Sequence, residues 1–259
     1  EKTCAIRKVL LAARDATDPW MAAAVLNSIG DKAVELFRLL NTPDLRDQGG
    51  AMALAPRLAE SIGARGFGDE IAAVIEVASD QKDVVRMMAL AKALGAGLHK
   101  AGIPLEAEKG QVILDHAQTL ATDASAAAPT RADAISVLGC VSWDHFATTL
   151  LPLLDPRQPQ EVQLASLGAL EQLDQGQLAS EILQRWDAMS PRLREAAAGA
   201  MVKRPARAKV LLQAIQSGKI RRGDLSGSQA ATLRQSSNKE LKALAARVLT
   251  IRTGKRDQV

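Results

Sequence analysis

A two-helix pattern recurs through the middle of this chain. Arg131, Gln163 and Arg194 stand 32 and 31 residues apart, and each is followed about three positions later by a small residue and then by a leucine-like residue. Two helices joined by short turns fill roughly 30 to 40 residues, which is the size of one helical-repeat unit. Such a pair cannot bury its apolar stripe alone, so consecutive pairs stack and share a core. The spacing therefore predicts an all-α chain folded as a solenoid.

Turn signals place the helices of this region. A helix over 143–154 is stopped by Asp155-Pro156, because proline cannot continue a helix and disfavours helical backbone in the residue before it. Ser190-Pro191 combines an N-cap with a proline in the first turn, which is a strong start signal. Helices over 178–189 and 206–216 then complete two further pairs.

The rest of the chain shows the same pattern of paired helices less regularly. Apolar spacing predicts helices over 3–14, 20–28, 31–40, 49–62, 70–78, 83–98, 105–120 and 229–235. We expect one continuous solenoid rather than two domains, with residues 125–129 as a turn between repeats where the array could bend. The expected segments are a less regular array over 1–128, a regular array over 129–218, a basic insertion over 219–227 and a terminal repeat over 228–253. Four alanines are expected to be buried where helices approach closely: Ala132, Ala165, Ala197 and Ala245.

Composition supports helices over strands. Alanine and leucine carry an apolar content of 47%, whereas aromatic residues make up 2% and tyrosine is absent. Alanine and leucine are strong helix formers, while sheets depend on β-branched and aromatic residues. No uninterrupted apolar run reaches the roughly 18 residues of a membrane span, and no signal-peptide pattern occurs. The start at Glu1 instead of methionine suggests a fragment or a processed chain.

Motifs for metal, haem and catalysis are missing from the sequence. His99, His116 and His145 are scattered, and no HExxH, CxxC, CxxCH or GxSxG occurs. We therefore expect no metal ion, no cofactor and no enzymatic activity in this chain. Cys4 and Cys140 lie among apolar helical residues, which favours buried free thiols over a disulfide between them.

The charge is divided unevenly along the chain. Residues 190–259 hold 16 Lys and Arg against 4 Asp and Glu, a net charge of +12, whereas residues 1–189 hold 17 against 25, a net charge of −8. The densest part is called the basic cluster below. Its members are Lys203, Arg204, Arg207, Lys209, Lys219, Arg221 and Arg222. It is either a solvated face or a docking patch for an acidic protein surface, an anionic polymer or a nucleic acid.

Two Trp-Asp pairs suggest a second class of function. Trp143-Asp144 and Trp186-Asp187 both stand in the second helix of a pair. A small family of HEAT-like DNA glycosylases uses tryptophan, aspartate and basic residues on a concave surface. A nucleic-acid-binding protein or base-repair glycosylase is therefore the alternative, and it requires an indole exposed beside an aspartate. Packing inside the core is the favoured role for both tryptophans.

The second half of the chain also resembles a known array. The resemblance is carried by Arg131–Gly139, the Leu-Leu-Pro-Leu-Leu-Asp-Pro element at 150–156, Pro159–Ala165, Trp186 with residues 190–194, and Leu211–Gly218. These segments resemble the HEAT-repeat portion of large bacterial exported proteins that combine a dehydrogenase-like propeller, helical repeats and a c-type cytochrome domain.

That resemblance carries several implications. It implies a HEAT/armadillo-like α-α superhelix that serves as a non-catalytic scaffold for protein–protein or inter-domain contacts. Redox chemistry would then belong to neighbouring domains of a parent protein, and the parent would be periplasmic or otherwise exported.

Overall fold

A computed structural model describes residues 30–105, 108–174 and 176–250, and this part of the chain is all-helical. It contains thirteen α-helices and four short 3-10 helices, and no strand occurs among the described residues. The chain divides into two compact units, Glu1–Thr149 and Leu150–Val259. Within the described residues, none of the helices has both the length and the apolar character that a membrane crossing needs.

The described part of the first unit has seven α-helices, and the first six of them pack in two alternating rows. The helices are α1 (Ala33–Leu40), α2 (Gly49–Arg65), α3 (Gly68–Ser79), α4 (Val84–Ala101), α5 (Gln111–Thr122), α6 (Ala128–Leu138) and α7 (Trp143–Leu150), with a 3-10 turn at Gly30–Lys32 before α1. Helices α1, α3 and α5 contact one another in order, as do α2, α4 and α6. Each of α1 to α5 also contacts the helix that follows it. Successive helices therefore belong to opposite rows, as in stacked helical hairpins.

The second unit repeats this arrangement. Its helices are α8 (Gln160–Leu173), α9 (Leu178–Arg185), α10 (Pro191–Val202), α11 (Pro205–Gln216), α12 (Gly227–Arg234) and α13 (Lys239–Leu249), and its 3-10 turns are Leu151–Leu154, Trp186–Ala188 and Arg222–Asp224. Helices α8, α10 and α12 form one row, and α9, α11 and α13 form the other. The α10–α11 and α12–α13 pairs are hairpins whose two helices contact each other.

Two glycines bring α2 and α4 into backbone contact. A β-carbon placed on Gly63 would lie 2.5 Å from the carbonyl oxygen of Leu94, and one placed on Gly97 would overlap the carbonyl oxygen of Glu60. Since no side chain separates the helices there, their backbones come into direct contact. This contact holds the middle of the first unit together.

The buried small residues follow the repeat spacing. Ala134, Ser166 and Ala197 stand three positions after Arg131, Gln163 and Arg194, and all three have no exposed surface. Ala245 is equally buried, as predicted with Ala197. Ala132 and Ala165 are less buried than the other two alanines, because the fully buried small residue stands two positions after Ala132 and one position after Ala165.

The side chains that define the repeat spacing all donate hydrogen bonds to backbone carbonyls that precede their own helix. Arg131 Nε donates to the carbonyl oxygen of Ala121, at the end of α5. Gln163 Nε2 donates to the carbonyls of Asp155 and Gln158, and Arg194 donates to those of Trp186 and Asp187. The last carbonyls of a helix lack partners within the helix and need donors from elsewhere. Arg131 and Arg194 therefore satisfy the end of the helical segment before their own helix, and Gln163 satisfies the turn that joins the 3-10 segment Leu151–Leu154 to α8.

Some helix boundaries differ from the predicted ones. The helix predicted over 105–120 begins only at Gln111, and Leu105 instead donates its N–H to the carbonyl of Cys140. The helix predicted over 143–154 changes to 3-10 geometry after Leu150, where Pro152 has no N–H to donate. The predicted insertion is held to the second unit by Ile220, which is 1% exposed. The helices predicted over 3–14 and 20–28, the residues Cys4 and Trp20, and the end of the terminal repeat at 251–253 lie outside the described residues.

Candidate interaction surface

Arg207, one of the seven members of the basic cluster, is buried. Its guanidinium lies 2.6 Å from the carboxylate of Asp174, and the two side chains are 3% and 2% exposed. Arg207 also donates to the carbonyls of Ala200 and Glu171. It therefore stabilises the interior of the second unit and is not part of a docking surface.

Asp174 is held as a carboxylate by its surroundings. Its Oδ1 accepts the backbone N–H groups of Gly176 at 2.7 Å and Leu178 at 2.9 Å. Burial raises the pKa of Asp174, but these two N–H groups and the Arg207 guanidinium outweigh burial and leave the pKa below its ordinary value. The carboxylate thus joins the start of α9 to the α10–α11 hairpin.

The three lysines of the basic cluster bridge neighbouring hairpins. Lys203 lies 2.9 Å from Glu171, Lys209 lies 2.6 Å from Glu240, and Lys219 lies 2.5 Å from Asp187. The hydrogen bond and charge of Lys219 lower the pKa of Asp187. Positive charges close together in the sequence are therefore compensated by carboxylates about one repeat away.

The other members of the basic cluster are engaged as well. Arg204 donates to the carbonyl of Asp174, Arg221 pairs with Asp224, and Arg222 donates to the carbonyl of Thr250. Lys203, Arg204, Arg207 and Lys209 lie near the start of α11, whereas the other three follow its end. A 12-residue helix is about 18 Å long. The structure therefore separates the basic cluster into two groups and brings neither together as a free positive patch.

Three cations that the sequence analysis did not single out lie on α13. Lys239, Lys242 and Arg247 are exposed and have no ion pair or hydrogen bond with any described residue. The carboxylate of α13, Glu240, is already paired with Lys209. We name these three residues the α13 cationic face. The excess of positive over negative residues in Lys239–Leu249 was the sequence signal that could have identified them.

The first unit differs in what it exposes. Large apolar side chains that are more than half exposed occur, among the described residues, only in this unit: Met52, Phe67, Val85 and Val112. Met52 and Val85 are near the starts of α2 and α4, which run side by side. Phe67 and Val112 are near the starts of α3 and α5.

Both tryptophans of the Trp-Asp pairs are buried. Trp143 is 9% exposed and Trp186 is 1% exposed. The indole Nε1 of Trp186 has no hydrogen-bond partner among the described residues. Stacking on a flipped base requires an exposed aromatic face, and neither indole presents one.

The thiol of Cys140 and the three imidazoles, all within the described residues, form no metal centre there. No group of three His, Cys, Asp or Glu side chains suited to a metal ion occurs in the described part of the chain. Cys140 is a free thiol that lies against Gly95, and burial raises its pKa to about 11. A thiol with such a pKa is protonated near neutral pH and is a poor nucleophile.

Comparison of the chain with protein-family models, with curated proteins and with solved structures yields no match. Each unit has its own candidate surface: the exposed apolar side chains in the first unit, and the α13 cationic face in the second unit.

Proposed function

We propose that this chain is a non-catalytic helical-repeat scaffold of the HEAT/armadillo-like class that mediates protein–protein or inter-domain contacts. The observation that carries the proposal is the two-row packing within each unit, in which each row is built from every second helix. In repeat arrays of this kind, each repeat contacts mainly its neighbours, and an extended surface is left for a partner. The continuous solenoid over residues 1–259 is part of this proposal.

The polar side chains support a structural role. Strongly shifted pKa values often accompany catalytic groups in clefts. Here the buried carboxylate of Asp174 is committed to Arg207 and to two backbone N–H groups, and Asp187 is committed to Lys219. These contacts give both carboxylates a structural role in joining neighbouring segments.

The setting of the scaffold follows from the sequence resemblance. In the proteins that the repeats resemble, helical repeats stand beside a propeller and a c-type cytochrome domain. We extend the proposal accordingly: the chain belongs to a larger exported redox protein, and it spaces or docks the domains that carry the chemistry.

The alternative is a HEAT-like nucleic-acid-binding protein or DNA glycosylase. The excess of positive charge in residues 190–259 and the α13 cationic face favour it, since phosphate contacts dominate nucleic-acid affinity. The burial of Trp143 and Trp186 weighs against the glycosylase form.

A mobility-shift experiment separates the two classes. The chain is titrated into a labelled DNA duplex at about 50 mM and about 200 mM salt, because phosphate-driven binding falls steeply over that range. A scaffold leaves the duplex unshifted at both concentrations. A shift at the lower concentration that is lost at the higher one would replace the scaffold with the alternative.

A second experiment tests for protein contact. A photo-crosslinking amino acid is placed at Met52, at Phe67 or, as the control, at the buried position Leu54 in the native host. We expect one discrete adduct, identified by mass spectrometry as the same partner or parent-protein domain, from the two exposed positions only. No adduct at either exposed position would count against a scaffold that uses the first unit.

A further inference from the structure

We infer that the α13 cationic face binds an acidic helical surface of a partner protein. The inference rests on the proposed scaffold function and names the class of partner at one end of the second unit. It starts from a difference in how the cations of that unit are used.

Every Lys and Arg of the described second unit that precedes α13 has an intramolecular partner. Each donates to a carboxylate, an amide oxygen or a backbone carbonyl. Lys239, Lys242 and Arg247 break this rule together, and all three are on one helix. Such a concentration of uncompensated charge on one element indicates a counter-charge outside the described residues.

The three cations share the side of α13 that is turned away from the core. Successive residues of an α-helix are about 100° apart around its axis. Leu241, Ala245, Val248 and Leu249 form the buried side, and Lys242 lies at its edge, beside Leu249. Exposed Ala243 and Ala246 lie between the three cations on the opposite side. Since alanine side chains are short, this side is a smooth helix surface edged by positive charge, and another helix can approach it closely.

The second unit already contains contacts of the kind that we infer. Lys203 reaches from the end of α10 to Glu171 of α8, and Lys209 of α11 reaches to Glu240 of α13. Packed helices of this unit are thus joined across their contact by a lysine and a carboxylate. The α13 cationic face carries the cations of such a contact, and the matching carboxylates would come from the partner.

The nine residues that follow α13 in the sequence are poorly suited to supply those carboxylates. Residues 251–259 contain Arg252, Lys255 and Arg256 against Asp257, so their net charge has the same sign as that of the face. The described second unit also exposes no large aromatic side chain on which bases could stack. A protein helix with carboxylates about one turn apart fits both the shape and the charge.

The test compares two charge-reversed variants with equal changes in net charge. The first carries Lys239→Glu, Lys242→Glu and Arg247→Glu. The control carries Lys32→Glu, Arg57→Glu and Lys82→Glu, which are exposed cations of the first unit without a described partner. A third protein with glutamine at 239, 242 and 247 removes the charge while keeping good helix formers.

Binding is measured by fluorescence anisotropy with a labelled, helix-forming peptide that carries glutamates at every third and fourth position. We expect binding by the unaltered chain, at least about tenfold weaker binding by the Glu and Gln variants, and little change for the control. The affinity should fall with salt, because exposed charges are screened beyond roughly 10 Å at 0.1 M ionic strength. Circular dichroism checks that every variant remains helical.

Any of three results would overturn the inference alone. They are no binding of the acidic peptide by the unaltered chain, equal weakening of peptide binding in the control, and retention of affinity in the Gln variant. A DNA duplex bound through Lys239, Lys242 and Arg247 in preference to the peptide would overturn it together with the scaffold proposal. If the unaltered chain binds neither the peptide nor DNA, only the acidic-helix partner is excluded, and the scaffold proposal stands.

Discussion

At the residue scale, Arg207 shows how a charge can serve the interior of a repeat unit. Its guanidinium meets two carboxylates and two carbonyl oxygens while remaining 3% exposed. A buried cation is tolerated only when most of its donors are satisfied, since desolvation otherwise costs several kcal/mol. The loss of Arg207 would therefore leave the buried carboxylate of Asp174 without its counter-charge, whereas the loss of Asp174 would leave Arg207 only the longer contact with Glu171.

Arg207→Ala should destabilise the second unit by about 3–5 kcal/mol, because Asp174 would be left without its counter-charge. Urea denaturation followed by circular dichroism measures the change. Arg221→Ala is the matched control, since Arg221 is 77% exposed in its pair with Asp224 and exposed pairs contribute about 0–1 kcal/mol. Similar losses in both variants would show that Arg207 is not a special position.

The same pair predicts a dependence of stability on pH. The pKa of Asp174 is lower in the folded chain than its ordinary value of 3.8. Its contribution to stability is therefore present above the unfolded pKa and is lost as pH falls through the folded pKa. We expect the free energy of unfolding to fall below about pH 4, and to fall less in Asp174→Asn, which starts from lower stability. An identical acid profile in both proteins would contradict this role.

The sequence located the positive charges but not their partners. Lys203, Lys209 and Lys219 are close neighbours in the chain, whereas their carboxylates lie 31 or 32 residues away. The sequence alone suggests a cluster of unpaired positive charges, because it does not show which helices are adjacent in the fold. The α13 cationic face was overlooked because its three cations are diluted by alanine and leucine.

At the element scale, helix starts with clear caps were the most predictable features. Ser190 accepts the N–H of Leu193, and Pro191 begins α10, as the Ser-Pro pair predicts. The stretch before α5 was harder, because its apolar residues continue the helical spacing while Leu105 hydrogen-bonds to Cys140 in a neighbouring segment. Tertiary hydrogen bonds of this kind leave no local signal in a sequence.

The close contact of α2 and α4 gives a test at the level of one helix pair. Gly97→Ala should lower stability by about 1–3 kcal/mol, because the added methyl group meets the backbone of Glu60 and Ala64. Gly168→Ala is the control, since Gly168 lies within α8 with open space around its Cα. That substitution should stabilise by about 0.5–1 kcal/mol through helix propensity. Thermal unfolding of both variants measures the effects, and a neutral Gly97→Ala would mean that the helices can separate at little cost.

At the scale of the whole molecule, the two compact units make a prediction about unfolding. Each unit has its own alternating rows and its own buried side chains. Units with separate cores commonly unfold in separate steps. Differential scanning calorimetry of the full chain should therefore show two transitions, and Arg207→Ala should lower the temperature of only one. A single transition shifted as a whole would mean that the units unfold cooperatively.

The lysine–carboxylate bridges between neighbouring hairpins limit how this chain can change by duplication or loss of a hairpin. Removal of residues 191–216 would keep the alternation of helices on either side, yet it would remove Lys203, Arg207 and Lys209 and leave Glu171, Asp174 and Glu240 without their cations. Each hairpin is thus matched to particular neighbours. The order of the hairpins is determined by their ion pairs as well as by their apolar faces. Repeats of equal length are not interchangeable in this chain.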